Sequence, residues 1–109
     1  MARTWIEFVQ SQRLEWRPGA LGGLRQGAEE KLLSRDAESG ACSRLARYPA
    51  GFAAPAGALA VDEEFLVLDG ALEIGGRHYG PYAYAQLPAG HASGERRSPG
   101  GAVVLEFLS

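Results

Sequence analysis

The sequence is poor in the residues that build disulfide frameworks and metal clusters. Cys42 is the only cysteine among 109 residues, and His78 and His91 are the only histidines. A single cysteine excludes a disulfide within the chain and a cysteine-based zinc motif. It is also typical of a reducing compartment, so we expect a cytoplasmic protein. A packed strand residue is the simplest role for Cys42.

Runs of one charge and long apolar runs are missing as well. The formal net charge is −2, and no basic cluster stands out, which argues against nucleic acid as a partner. The apolar runs are too short to span a bilayer. The first 16 residues mix charges throughout and hold no apolar core of signal-peptide length. We therefore expect no membrane partner and no export signal.

Turn-forming residues are abundant, with 15 glycines and 6 prolines. This density is typical of many short strands joined by tight turns. We predict a single all-β domain over residues 1–109, in which 1–34 form an N-terminal arm with edge elements and 35–109 form a barrel. The predicted strands are 41–48, 63–68, 71–74, 77–79, 82–87 and 102–108.

Several connections carry specific expectations. Asp69-Gly70 predicts a two-residue hairpin, Gly75-Gly76 predicts another turn, and residues 36–40 predict a turn with a strand on either side. Residues 26–33 fit a short extended element. Residues 4–14 fit either a short helix or an edge strand, and the pattern leaves both open.

The strand predicted at 63–68 is apolar on both faces. Phe65 and Val67 share one face with Glu63, while Leu66 and Leu68 share the other. A strand buried on one side only would carry polar residues on its outer face. We therefore expect the barrel interior to cover one side and the N-terminal segment or a second subunit to cover the other. A homodimer is the assembly we predict.

Four pieces of the chain, in the same order, resemble the cupin superfamily and the ChrR-like cupins in particular. Residues 33–51 are similar to a cupin's first strands, and Glu63-Glu64-Phe65-Leu66-Val67-Leu68-Asp69-Gly70 resembles the family's Glu-Glu-x-x-Val-Leu-x-Gly. Pro88-Ala89-Gly90 resembles the Pro-x-Gly of the second cupin motif, and residues 102–108 resemble the closing strand. The resemblance implies a cupin-type jelly-roll β-barrel. The ChrR-like group includes the zinc-binding domain of an anti-sigma factor and dioxygenases that cleave ketones.

The same resemblance implies where a metal would bind. Cupins of this group use His-x-His-x3-Glu and a later histidine after Pro-x-Gly. Carried over by position, the glutamate is Glu63, but the three histidine positions hold Gly57, Leu59 and Ser93. A transition-metal site needs about three or four converging ligands. We therefore expect no bound metal and no cofactor.

The resemblance also suggests a ligand pocket. Its candidate residues are Glu63, His91, Arg47, Phe65, Leu59, Tyr82 and Tyr84. An inward Glu63 without a metal needs a partner, because an isolated buried charge is costly. Arg44 and Arg47 could pair with it, and Arg47 and His91 are the neighbours we expect.

Each of these residues also has a simpler interpretation. Glu63 could lie in solvent at the start of its strand. His91 could be an exposed loop residue rather than a displaced ligand or an acid–base group. Tyr82 and Tyr84 could face outward or pack in the core or an interface, and His78 could be an ordinary strand residue.

Three functions are compatible with these patterns. We favour a metal-poor cupin that binds a small organic molecule or acts as a regulatory module. A metal-dependent dioxygenase or isomerase using Glu63 and His91 is the enzyme alternative, and a structural subunit is the third. The sequence leaves open whether the chain is an enzyme.

Overall fold

Two antiparallel β-sheets contain almost all of the regular structure in the computed structural model, which describes residues 10–19 and 26–109. A single 3₁₀ turn, Ser11–Arg13, precedes the strands. Numbered β1 to β10 in chain order, the strands are Arg17–Pro18, Glu29–Arg35, Cys42–Tyr48, Phe52–Ala54, Glu63–Gly70, Leu72–Ile74, Arg77–Tyr79, Tyr84–Leu87, Arg96–Ser98 and Ala102–Leu108. In the part of the chain described, no helix is long and apolar enough to cross a membrane.

Strands that are distant in sequence lie side by side in both sheets. The larger sheet has the order β1-β2-β3-β10-β5-β8, and the smaller has the order β4-β9-β6-β7. The closing strand β10 pairs with β3 on one side and with β5 on the other. This arrangement is the all-β architecture that the sequence predicts, with β10 at the centre of the larger sheet.

The hydrophobic core lies between the two sheets. Alternate residues of β10 point inward, and Ala102, Val104 and Leu108 are buried. Two edge-to-face aromatic pairs join the sheets: Phe65 with Tyr79, at 5.4 Å between ring centroids, and Tyr48 with Phe52, at 4.9 Å. Pairs of this geometry add to the stabilisation that comes from burying the rings.

The hairpin predicted at Asp69-Gly70 is wrong. β5 ends at Gly70 and β6 begins at Leu72, but the two strands belong to different sheets. Gly70 has a φ of 72°, and a Cβ there would lie 2.1 Å from the carbonyl oxygen of Gly101. Only glycine combines this backbone conformation with so close an approach, so the chain crosses here from one sheet to the other.

Most other strand expectations are confirmed. β10 has the predicted bounds, the Gly75-Gly76 turn joins β6 to β7, and residues 36–40 join β2 to β3. The extended element expected at 26–33 is β2, which begins and ends slightly later. β1, β4 and β9 were not predicted: β1 has only two residues, β4 lies in a run of small apolar residues, and β9 lies in a charged stretch. Of the segment 4–14, residues 4–9 lie outside the described residues.

The two faces of β5 differ. Glu63, Phe65 and Val67 are almost completely buried between the sheets, as predicted. On the outer face, Leu66 is half-buried and Leu68 is exposed. The described residues therefore cover one side of this strand fully and the other only in part, and the predicted homodimer remains a prediction.

Candidate functional site

The positions that would carry a cupin's metal ligands meet at one end of the space between the sheets. Gly57, Leu59, Glu63 and Ser93 line a single cavity there, together with His91. Gly57 and Ser93 pair directly: each backbone N–H donates to the other residue's carbonyl oxygen, at 3.1 and 3.0 Å. The assignment of these positions from the sequence is thus consistent with their places in the fold.

Glu63 is held by an arginine from the opposite sheet. Its side chain is 2 % exposed at the start of β5, and the guanidinium of Arg96 on β9, 5 % exposed, lies against it. Nη2 of Arg96 donates to Oε1 at 3.0 Å, and Nη1 donates to Oε2 at 3.2 Å. This two-point geometry is the strongest that arginine and a carboxylate make. Arg96 also lies over the ring of Phe65, 5.6 Å from its centroid.

A second buried ion pair continues from the first. The Tyr48 hydroxyl accepts a hydrogen bond from Arg96 at 3.2 Å and donates one to Glu106 at 2.5 Å. Glu106 accepts from Nε of Arg44 at 2.9 Å, and Nη1 of Arg44 donates to Glu30 at 2.7 Å. These six side chains form a continuous polar network across the interior, in which five are buried and Glu30 is half-buried. In the described part of the protein, no buried side-chain polar atom lacks a partner.

The charges in this network stabilise one another. Burial alone would lower the pKa of Arg44, but the negative charge of Glu106, with hydrogen bonds to Glu106 and Glu30, raises that pKa above its ordinary value. These interactions therefore favour the charged form of Arg44. A buried cation of this kind is tolerated because its donors meet carboxylates directly.

The residues at this end do not fit a transition metal. Three of the four family positions offer no imidazole, and the fourth, Glu63, is bonded to Arg96 at both of its oxygens. A metal cation bound to Glu63 would lie next to a guanidinium, and like charges at that distance repel. Within residues 10–19 and 26–109, no three side chains of His, Cys, Asp or Glu are grouped closely enough to hold a metal.

The cavity next to Glu63 is small. Its volume is about 30 Å³, and Pro55, Leu59 and Leu87 supply apolar walls. Space of this size holds about one or two waters. Leu59 is half-buried and contributes to the wall of this cavity.

The predicted pocket residues do not all come together. Glu63, His91 and Leu59 line the same cavity, and Phe65 is buried beside Arg96. Arg47, expected near Glu63, lies instead on the outer face of β3, where it donates to Glu29 at 2.7 Å and covers the Trp16 ring. Arg44 does point inward, but it pairs with Glu106 and Glu30.

The two tyrosines face solvent. Tyr82 is 77 % exposed with a φ of 68°, and Tyr84 is 54 % exposed on the outer face of the edge strand β8. The Tyr84 hydroxyl donates to Glu64 at 2.5 Å, and this bond raises the pKa of Tyr84. Neither ring lines the cavity beside Glu63. His78 is exposed on β7, and Cys42 is half-buried on β3.

Sequence reasoning missed Arg96 and Glu106. Glu95-Arg96-Arg97 looks like a charged loop, yet Arg96 and Ser98 alternate inward on a short strand. Glu106 shares the inward face of β10 with Val104 and Leu108. A charged residue on an otherwise apolar strand face was the signal for Glu106. For Arg96 the signal was indirect: an inward Glu63 requires a cation.

Comparison with known proteins supports a cupin fold. The model of a family described as a domain of unknown function, DUF4437, matches residues 7–97. An RmlC-like cupin from Shewanella frigidimarina NCIMB 400 superposes with a TM-score of 0.75 at 16 % identity, over 100 % of this chain and 94 % of that one. No curated protein matches the sequence.

Two further structures show how varied the similar proteins are. An acetylacetone dioxygenase from Acinetobacter johnsonii has a TM-score of 0.78 at 18 % identity, over 96 % of this chain and 74 % of that one. The structure of Rhodobacter sphaeroides SigE in complex with the anti-sigma ChrR gives a TM-score of 0.67 at 20 % identity, over 92 % of this chain and 51 % of that one. At such identities the likeness shows the fold alone.

Proposed function

We propose that this chain, which belongs to the DUF4437 family and to the cupin superfamily, works without a metal and binds a small organic molecule. This is the function of a binding or regulatory module rather than of a metal enzyme. Its immediate support is the environment of Glu63, the only position of the cupin metal motif at which this sequence keeps the usual residue.

The observation that carries the proposal is the pairing of Glu63 with Arg96. Both side chains are buried, and both oxygens of Glu63 accept from the guanidinium. Binding a metal would require Glu63 to leave Arg96, and the cost of leaving a buried charge unpaired is several kcal/mol. The arginine supplies the positive charge that a metal supplies elsewhere, but it offers no open coordination position.

The enzyme alternative rests on Glu63 and His91, which do line one cavity. A general base must be free to accept a proton from the reacting molecule. Glu63 is fully engaged by Arg96, and the cavity of about 30 Å³ is too small for an organic substrate beside it. The geometry at this place therefore does not support catalysis by Glu63 and His91 on an organic substrate.

We also propose that the chain forms a homodimer through the outer face of the larger sheet. Leu45, Leu105, Leu66 and Tyr84 are successive partners across β3, β10, β5 and β8, so they form one row on that face. Direct partners in antiparallel strands share a face. A row of apolar side chains across four strands is a surface that a second copy would cover.

The single cysteine is consistent with the cytoplasm as the location of the protein.

Metal content tests the main proposal. The purified protein is incubated with Zn²⁺, Fe²⁺ or Ni²⁺, desalted, and analysed for bound metal. We expect no stoichiometric metal in the native protein. About one metal per chain that disappears in Glu63→Gln would overturn the proposal, and so would turnover of a diketone by the loaded protein.

A designed variant provides the matched positive control. Gly57→His, Leu59→His and Ser93→His together restore the family's three imidazoles. We expect this triple variant to bind zinc tightly only when Arg96→Met is added, because Arg96 otherwise competes for Glu63. Equal zinc affinity with and without Arg96 would contradict the role given to the arginine. Circular dichroism on each variant confirms that it is folded.

A further inference from the structure

A larger cavity lies at the same end of the sheets as Glu63 but on the side of β2 and β3. Its volume is about 200 Å³, against about 30 Å³ beside Glu63. Residues from β2, β3 and β10 line it, and Val61 closes it from the segment before β5. None of the candidate pocket residues inferred from the sequence lines this cavity.

The walls of this cavity are mainly apolar. Leu32, Ala41, Cys42, Val61 and Leu108 provide them. An apolar cavity of about 150 Å³ can hold a benzene molecule. The cavity between β2 and β3 is therefore large enough for one ring with a small substituent and too small for a drug-sized molecule, which needs roughly 300 Å³ or more.

The charged groups of the cavity decide what kind of substituent fits. Arg44 and Glu30 lie at its inner end, where they are paired with each other at 2.7 Å, and Arg44 is also paired with Glu106. Arg35 lies on the exposed rim, across from Cys42 in the strand register. In residues 10–19 and 26–109, no side chain forms an ion pair or hydrogen bond with Arg35. Arg35 is thus an exposed cation on the rim for which the described residues provide no ion-pair partner.

We propose that the ligand of this protein is a small aromatic carboxylate that binds in the cavity between β2 and β3. Its ring packs against Leu32, Val61 and Leu108, and its carboxylate pairs with Arg35 at the rim. Arginine is suited to this role because its planar fork meets a carboxylate at two points. The inference rests on the proposed function, since it names the ligand class of the binding module.

Benzoate is the probe that tests the inference, and benzamide is its neutral counterpart of the same shape. Binding is measured by calorimetry and by the shift in melting temperature, which rises when a ligand binds only the folded state. We expect benzoate to bind and benzamide to bind at least about tenfold more weakly, because only the anion gains a charge-assisted pair with Arg35. Equal binding of the two probes, or no binding of benzoate to the folded protein, would overturn the proposal.

Four variants locate the site. Arg35→Gln is expected to weaken benzoate binding about tenfold or more, whereas the same substitution at Arg77, another exposed arginine, on β7, should leave it unchanged. Val61→Phe fills the cavity and should abolish binding. His91→Ala, in the smaller cavity beside Glu63, should have no effect. If His91→Ala abolished binding and Val61→Phe retained it, the ligand would lie in the smaller cavity beside Glu63, and the inference would be refuted.

Metal analysis on the same preparations keeps the two proposals separable. Benzoate binding that depends on Arg35 in a protein found to hold metal at Glu63 would refute the metal-free function and leave the cavity assignment intact. A metal-free protein that does not bind benzoate would refute the cavity assignment alone.

Discussion

Arg96 and Glu63 join the two sheets through a buried, two-point ion pair, with Nη2 to Oε1 at 3.0 Å and Nη1 to Oε2 at 3.2 Å. Arg96 belongs to the smaller sheet and Glu63 to the larger, so the pair ties the sheets together at the end where a cupin's metal ligands would lie. The two charges depend on each other, because both side chains are almost completely shielded from bulk water.

Removal of Arg96 should be strongly destabilising. We expect Arg96→Met to lower the free energy of unfolding by about 3–5 kcal/mol, because Glu63 stays buried and uncompensated. Glu63→Gln combined with Arg96→Met should lose less than Arg96→Met alone, since no buried charge remains. Urea denaturation measures both. Arg97→Met, the exposed neighbour on the same strand, is the control and should change stability by about 0.5 kcal/mol or less. A double variant no more stable than Arg96→Met would contradict the pairing.

Gly70 should be far less tolerant of a side chain than Gly76. Both have positive φ, at 72° and 84°, so alanine carries a backbone cost of about 1–2 kcal/mol at either position. Only Gly70 is crowded, with the carbonyl oxygen of Gly101 2.1 Å from where a Cβ would lie, and Gly76 has open space. We expect Gly70→Ala to cost about 1–3 kcal/mol more than Gly76→Ala, as overpacking does. Urea denaturation measures both variants, and equal unfolding midpoints for the two would show that the crossing between sheets at Gly70 is not tightly constrained.

Tyr84 should lose its proton at higher pH than an ordinary tyrosine. Its hydrogen bond to Glu64 favours the neutral phenol, and the negative charge of Glu64 opposes ionisation, so the pKa of Tyr84 is raised. A group whose folded-state pKa is raised contributes stability below its unfolded pKa of about 10 and loses it as pH rises through the folded value. Absorbance titration of the phenols should therefore show one tyrosine shifting to lower pH in Glu64→Gln. No shift in that variant, with Tyr84→Phe used to assign the signal, would contradict the contact.

A charged residue introduced on the outer face of the larger sheet should dissociate the predicted homodimer into monomers. Leu105 lies at the centre of the apolar row, between Leu45 and Leu66. We expect Leu105→Glu to turn a dimer into a monomer in light scattering, because an unpaired charge would be buried in the interface. Ala53→Glu, on the exposed face of β4, introduces the same charge elsewhere and should leave the dimer intact. A native protein of monomer mass at micromolar concentration would refute the assembly.

The sequence predicted much of the local structure because the relevant signals are local. Alternation of side chains and turn-forming residues located β3, β5 and β10, and the inward face of β5 was predicted from the position of Glu63 in the cupin pattern. The replacement of the family's histidines by Gly57, Leu59 and Ser93 was also visible in the sequence, and these positions do line one cavity with Glu63.

The partners of the inward charges depended on tertiary structure. Arg47 lies between Ala46 and Tyr48 on a recognisable strand, whereas Arg96 lies in the charged stretch 95–97, so the sequence favoured Arg47. Strand alternation points Arg47 outward to Glu29, whereas the pairing of β9 with β6 and β4 brings Arg96 to Glu63.

The conformation at Asp69-Gly70 also depended on tertiary structure, because this residue pair suits either a hairpin or a crossing between sheets. The choice was made by the close approach of Gly101, a contact between residues 31 positions apart. The amino-acid sequence by itself determined that this chain forms strands and lacks a cupin's imidazoles. Only the packing of the two sheets decided which cation neutralises Glu63. Glu63 and Arg96 are far apart in sequence, so no local pattern indicates that they meet.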